Sequence, residues 1–212
     1  MAIAYKKQVD SDTEFALWRI EEKAEDLYKK LQLDEHEKAY VEKLSLGKRH
    51  LHWLAVRVLL RTMLNTDEFI DCKIDSHGKP YLVHLPYHIS LSHSFDYAAV
   101  MMSRSAPVGI DIEQIREKVE RIAYKFMQPA ELAFIDGADP VKHLYAAWCV
   151  KEAVYKCFGE KEVSFADNIS LEPFSFVCPG MVNAHLDKGK VHKDYRVDYL
   201  QYEDYMIGYV KG

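Results

Sequence analysis

The sequence predicts an α+β protein of two similar lobes related by a pseudo-twofold axis, each an antiparallel sheet packed with helices, with the active site in the cleft between them. Three observations predict it. In each half of the 212 residues an apolar helix is followed by several short strand-like segments. A weak internal repeat relates the halves: with Trp53 set on Trp148, Arg57 falls on Glu152 and Arg61 on Lys156. A joint near Pro107 divides the chain into an N-terminal lobe, 1–106, and a C-terminal lobe, 107–212.

The elements follow in order. Ser11 with Glu14, and Asp34 with Glu37, have the spacing of capping boxes, and each predicts a helix behind it. Phe15, Trp18, Leu27, Tyr28 and Leu31 fall roughly at helical spacing. Leu51–Leu64 is a strongly apolar helix with Arg57 and Arg61 on one side and Asn65 as its stop. The period then shortens. Residues 69–74, 87–91, 97–102 and 108–112 read as strands, Ser76–Pro80 as a turn, and Ser92-His93-Ser94 as a polar separator. Val119–Phe126 is helical, and Pro129 suits the first turn of a short helix. Asp139-Pro140 opens a long helix to about Phe158 as N-cap and N1. From Val163 the chain is strand-like, with turns at Pro179-Gly180 and Lys188-Gly189.

Composition narrows the function. Hydrophobic residues make up 49% and charged residues 29%, the balance of a soluble globular protein. A net charge of -5 argues against a general nucleic-acid binder, even with ten histidines. The N-terminal stretch Met1–Lys7 lacks the apolar core of a signal peptide, and no run approaches the roughly 20 apolar residues of a membrane helix. A cytoplasmic protein is expected. Cys72, Cys149, Cys157 and Cys178 form no CxxC pair, so reduced thiols are expected rather than a zinc site or disulfides.

Two strings carry the chemistry. In Gly109-Ile-Asp111-Ile-Glu113 the carboxylates are two apart, so on a strand they face one side while Ile110 and Ile112 face the other. Adjacent carboxylates repel unless a cation lies between them. Magnesium suits such a pair, because it takes one or two carboxylates plus phosphate and water. Alone, this motif reads as a solvated strand end. In Trp148–Lys156, Trp148, Glu152 and Lys156 line one helical face, with Lys151 pointing elsewhere, toward solvent. Glu152 would complete a three-carboxylate site, and Lys156 would neutralise a bound phosphate. Alone, Glu152 and Lys156 read as a surface pair contributing only ~0.3–0.5 kcal/mol. Ser92 and His93 can bind phosphate oxygens, but neighbours on a strand point to opposite faces, which argues against a nucleophilic dyad. Lys79, between Gly78 and Pro80, offers a cation on a rigid turn without the pattern of a Walker loop. Lys48, Arg49 and His52 form a basic group before the Trp53 helix.

Gly78-Lys79-Pro80, Leu91-Ser92-His93-Ser94, Pro107-Val-Gly-Ile-Asp111-Ile-Glu113 and Trp148-Cys-Val-Lys151-Glu152-Ala-Val-Tyr-Lys156 occur in this order. The order resembles the 4'-phosphopantetheinyl transferase superfamily. The length resembles the monomeric, two-lobe, surfactin-synthetase-activating type rather than the half-length trimeric synthases. The resemblance runs from about Lys48 to Lys156. It implies transfer of the phosphopantetheine arm of coenzyme A to a serine of an apo acyl or peptidyl carrier protein, with Mg2+. The products are the holo carrier and 3',5'-adenosine bisphosphate. It implies Asp111, Glu113 and Glu152 as metal ligands. It implies His93, Lys79 and Lys156 at the coenzyme A phosphates, with Pro80, Ser92 and either Arg49 or His52 beside them. Glu152, Lys156 and His93 would be catalytic, Glu152 deprotonating the serine directly or through a water. Carrier docking is expected on 118–128, through Lys118, Arg121, Lys125, Phe126 and Met127. Glu131 fits the family spacing from Phe126, but reads equally as a helix-start carboxylate. An inactive coenzyme A-binding relative and a magnesium-dependent phosphoesterase are the rival readings.

Overall fold

In the computed structural model residues 3–44, 47–135 and 137–212 are described. Met1 and Ala2 of the N-terminal stretch lie outside them. The chain runs β1 (Tyr5–Asp10), β2 (Thr13–Arg19), α1 (Ala24–Tyr28), α2 (Glu35–Lys43), α3 (Lys48–Leu64), β3 (Cys72–Ile74), β4 (Pro80–Leu82), β5 (His88–Ser94), β6 (Tyr97–Ser103) and β7 (Val108–Gln114). A 3-10 helix (Glu117–Lys125) follows. Then come α4 (Pro129–Leu132), α5 (Pro140–Phe158), α6 (Phe165–Asn168), β8 (Ile169–Leu171), β9 (Gly180–Lys188), β10 (Val191–Tyr202) and β11 (Tyr205–Lys211).

The α+β class holds. A four-stranded antiparallel sheet has the order β1-β2-β6-β5, and a five-stranded one has the order β7-β11-β10-β9-β8. Alternation along the strands builds three apolar layers. Phe15, Leu17, Tyr97, Ala99 and Met101 meet Val108, Ile110, Ile112, Ile207 and Tyr209 between the sheets. The opposite face of the first sheet, with Ala16, Trp18, Ala98 and Val100, packs on Leu54, Val58 and Leu59 of α3. Helix α5 covers the outer face of the second sheet.

Several sequence expectations hold. Asp34 accepts from the Glu37 backbone at 2.7 Å and starts α2. Asn65, with φ 49°, ends α3 in the left-handed region. Asp139 caps α5, Pro140 is its first residue, and Gly159 (φ 77°) closes it.

Others are corrected. The segment after Ser11 is strand β2, not a helix. Its odd residues face the inter-sheet core and its even ones face α3, a period-two pattern; Glu14 pairs with Lys6 across the hairpin. Of residues 69–74, only 72–74 form a strand. Ser92-His93-Ser94 does not separate strands but completes β5, and the turn falls at Phe95-Asp96. Residues 117–125 take the tighter 3-10 form.

Candidate functional site

β5 is an edge of one sheet and β7 an edge of the other, and serine hydroxyls join them. The backbone N–H groups of Ile110, Ile112 and Gln114 donate to Oγ of Ser90, Ser92 and Ser94 at 3.0, 3.4 and 3.2 Å. Every second residue of β5 meets every second residue of β7, with the strands running the same way. The serines thus satisfy an edge that a backbone ladder would otherwise fill.

Helix α5 lies against β7 because two positions carry no side chain. A Cβ at Gly109 would sit 1.9 Å from the Ala153 carbonyl oxygen, and one at Gly208 would sit 2.5 Å from the Cys149 backbone. Gly208 pairs with Asp111 across β11 and β7. The glycine of the Gly-Ile-Asp string therefore sets the distance between the strand bearing Asp111 and the helix bearing Glu152 and Lys156.

At this contact Asp111 is 4% exposed. Its Oδ1 accepts from Ser92 Oγ at 2.8 Å and Lys156 Nζ at 2.7 Å, while its buried Oδ2 has no hydrogen-bond partner. Lys156 Nζ also donates to Ser92 Oγ at 2.9 Å and the Ile110 carbonyl at 3.1 Å. All three of its protons have acceptors. Burial alone would lower the ammonium; Asp111 and Glu152 more than offset this, so it titrates above its ordinary value. Glu113 accepts from Ser94 Oγ at 2.9 Å. Burial, then the Asp111 charge, raises its carboxyl. Burial raises Glu152 most, followed by the Asp111 charge; against the opposing Lys156, it reaches about 7.

The donor set fits a small hard cation. Three carboxylates share one acidic spot, burial and the Asp111 charge raise the other two, and a buried carboxylate oxygen of Asp111 is unsatisfied. Among the described residues no three His, Cys, Asp or Glu side chains form a ready-made metal cage. Magnesium needs none, because phosphate and water complete its shell.

Two cavities adjoin this cluster and share Pro80 and Leu91 in their walls. The smaller, 200 Å³, is lined by His77, Lys79, Tyr155 and Lys156. Lys79 Nζ donates to the Cys157 carbonyl at 2.7 Å, at the C-terminal end of α5, and burial lowers its pKa. The larger, 530 Å³, is lined by Arg49, Trp53, Arg57 and His93. Arg49 is exposed, whereas His52 is buried behind His93, the rings stacked with centroids 4.4 Å apart. His52 Nε2 lies 2.7 Å from the Phe95 carbonyl, which only accepts, so that nitrogen carries the proton. Burial, then His52 and Lys156, lowers His93 to about 4, leaving a neutral N–H donor.

The structure thus brings Asp111, Glu113, Glu152, Lys156 and Ser92 to one spot, with Lys79, Pro80, His93 and Arg49 in adjoining walls. Ser92 is turned toward Asp111 rather than into open space, and His93 lies on the opposite face of the strand, as expected for neighbours. Two expectations fail. Lys151 does not reach solvent: it is 0% exposed and donates to Glu131 Oε2 at 2.7 Å and to the carbonyls of Phe126 and Phe165 at 2.8 and 3.1 Å. Glu131 in turn caps α4 through Gln128 and accepts from the Leu171 N–H, so it is the structural helix-start carboxylate. Phe126 and Met127 are buried, Phe126 edge-on to Trp148, and present no docking surface. The exposed aromatic there is Tyr124, 68% exposed beside Arg121 and Lys125. Sequence reasoning missed Ser94; its placement two residues after Ser92 was the available signal.

Residues 107–210 match the 4'-phosphopantetheinyl transferase superfamily. The chain is 32% identical over 91 residues to a 4'-phosphopantetheinyl transferase of Bacillus subtilis, covering 41% of this chain and 40% of that protein. It is 32% identical over 111 residues to 4'-phosphopantetheinyl transferase gsp of Aneurinibacillus migulanus, covering 50% and 46%. It is 32% identical over 127 residues to 4'-phosphopantetheinyl transferase AcpT of Salmonella typhi, covering 57% and 65%. The chain therefore spans roughly half the length of the curated relatives it matches. No helix among the described residues is long and apolar enough to cross a membrane.

Proposed function

Since this chain belongs to the 4'-phosphopantetheinyl transferase superfamily through residues 107–210, we propose that it moves the phosphopantetheine arm of coenzyme A onto a serine of an apo acyl or peptidyl carrier protein. The observation that carries this reading is the meeting of Asp111, Glu113, Glu152 and Lys156 beside cavities walled by Lys79, Arg49 and His93. In the reaction the serine oxygen bonds to the phosphorus bearing pantetheine. The bond from that phosphorus to the bridging oxygen breaks, and 3',5'-adenosine bisphosphate leaves.

A serine hydroxyl is a poor nucleophile at neutral pH and needs a base. Glu152 takes the proton directly or through a water, a role that typically contributes ~10²–10⁴-fold. Lys156 keeps a fixed positive charge where negative charge grows on the transferred phosphate. Lys79, Arg49 and neutral His93 hold the other phosphates of coenzyme A. Asp111, Glu113 and Glu152 would hold Mg2+, and the bound ion would supply neutralising charge at the attacked phosphate and the leaving group. We further propose that the protein acts as a monomer in the cytoplasm. The first sheet with α3 and the second sheet with α5 then form two duplicated lobes, 1–106 and 107–212.

The test is the intact mass of an apo acyl carrier protein incubated with this protein, coenzyme A and Mg2+, beside a Glu152→Gln control. Wild type should add one phosphopantetheine and the variant should not. No gain on several acyl and peptidyl carriers, with coenzyme A still bound, would favour the inactive-relative reading. Release of phosphate from simple esters without a carrier would favour a phosphoesterase.

Lys118, Arg121 and Lys125 stand exposed on the 3-10 helix with Tyr124, and form the proposed docking patch for an acidic carrier. Charge reversal at Arg121 and Lys125 should raise KM for the carrier severalfold and leave the dissociation constant of coenzyme A unchanged. An unchanged carrier KM sinks this placement.

A further inference from the structure

The hydroxyl directions along β5 carry one more conclusion, which rests on the cation reading above. A backbone N–H only donates, and a serine hydroxyl has one proton to give. Ser94 Oγ already accepts from the Gln114 N–H at 3.2 Å, so its proton is free for the Glu113 carboxylate at 2.9 Å. Ser92 repeats the pattern toward Asp111, with Lys156 as an added donor. Ser90 receives the Ile110 N–H at 3.0 Å and has no carboxylate opposite, because residue 109 is glycine. Ser94 is buried, and its hydroxyl is the one hydrogen-bond donor to Glu113 recorded among the described residues.

We infer that Ser94 is a positioning residue: it acts through Glu113, fixing the carboxylate so that one oxygen is turned to the shared acidic spot. Ser94 does not touch substrate. Its hydroxyl fixes the orientation of a ligand that Lys156 does not clamp, whereas Asp111 is held by both Ser92 and Lys156. An aligned carboxylate meets a divalent cation without first losing rotational freedom, and losing such an outer partner typically weakens metal binding ~10–100-fold.

Ser90→Ala is the internal control. It deletes the same kind of bond between strands but frees no carboxylate. Mn2+ binding is followed by loss of the free-ion electron paramagnetic resonance signal, with coenzyme A present, for wild type, Ser94→Ala, Ser90→Ala and Ser94→Thr. The expected result is Mn2+ binding at least about tenfold weaker in Ser94→Ala, near wild type in Ser90→Ala, and restored by Ser94→Thr, which keeps the hydroxyl. Circular dichroism checks that each variant is folded. Equal Mn2+ affinity for Ser94→Ala and wild type overturns the inference and leaves the proposed function standing. Equal weakening in both alanine variants overturns it as well, reducing Ser94 to a staple between strands. Failure of wild type to bind Mn2+ overturns the cation reading itself, and the inference with it.

Discussion

Replacing Lys151 with methionine should destabilise the fold by about 3–5 kcal/mol, the usual cost of removing one partner of a buried ion pair. Lys151 is fully buried, and each of its three protons meets an oxygen, from Glu131, Phe126 and Phe165. Without the ammonium, the Glu131 carboxylate stays buried with only the N–H groups of Gln128 and Leu171, and two carbonyls lose their donor. The pair ties the start of α4, the segment before β8 and the middle of α5 together, so the damage reaches beyond one contact. Urea unfolding of Lys151→Met, Glu131→Gln and the double variant gives the test. The double variant should be less destabilised than the two single losses summed, because it leaves no lone charge buried. A loss below about 1 kcal/mol in Lys151→Met would mean that the carboxylate finds water or another donor. This residue sits one position before Glu152. Its loss should lower activity in proportion to the folded fraction and leave the KM for coenzyme A of the folded protein unchanged.

Lys151 also shows where the sequence was legible and where it was not. The stretch Trp148–Lys156 places Trp148, Glu152 and Lys156 on one helical face, and helical period alone was enough to group them. The same period puts Lys151 elsewhere, and a lone lysine off the functional face is normally solvated. Its burial depends on Glu131, twenty residues away, and local periodicity holds no information about that partner. The helices α3 and α5 were legible from their stops and caps. Strand β2 was not, because a capping pattern at Ser11 and Glu14 competes with the alternation of Phe15 to Trp18, and pairing with β1 and β6 decides between them. The polar tripeptide Ser92-His93-Ser94 reads as a loop because polar residues are rare inside a buried strand. It is a strand because its backbone pairs with β6, and its buried hydroxyls find partners along the β7 edge. That Asp111 and Glu113 face one side followed from strand alternation, whereas their reading as metal ligands came from the family resemblance. The reason for the glycine before them became visible only with α5 laid across it.

Glu152→Gln should move stability and activity in opposite directions. The free carboxyl titrates at 4.5, and in the fold burial and the neighbouring Asp111 charge raise it to about 7. A raised carboxyl means the folded state holds its proton more tightly than the unfolded state. No cost exists below the unfolded value. The cost grows as pH rises from about 4.5 to about 7, and is complete above that. Glutamine never ionises, so the variant escapes it. Thermal melting without added metal should show the two proteins similar near pH 4.5 and the variant ahead by about 1–3 kcal/mol at pH 8. Glu113, whose charge also raises Glu152, is relieved of the same repulsion in the variant, which adds to the gap in the same direction. Carrier modification by the variant should fall by ~10²–10⁴-fold, the range for losing a general base. Millimolar Mg2+ with coenzyme A should narrow the stability gap at pH 8, since the carboxylate that is costly in the empty site becomes a favourable one beside a cation. A gap that stays flat from pH 5 to pH 8 would show that Glu152 ionises without strain, and would shift the role of base away from it.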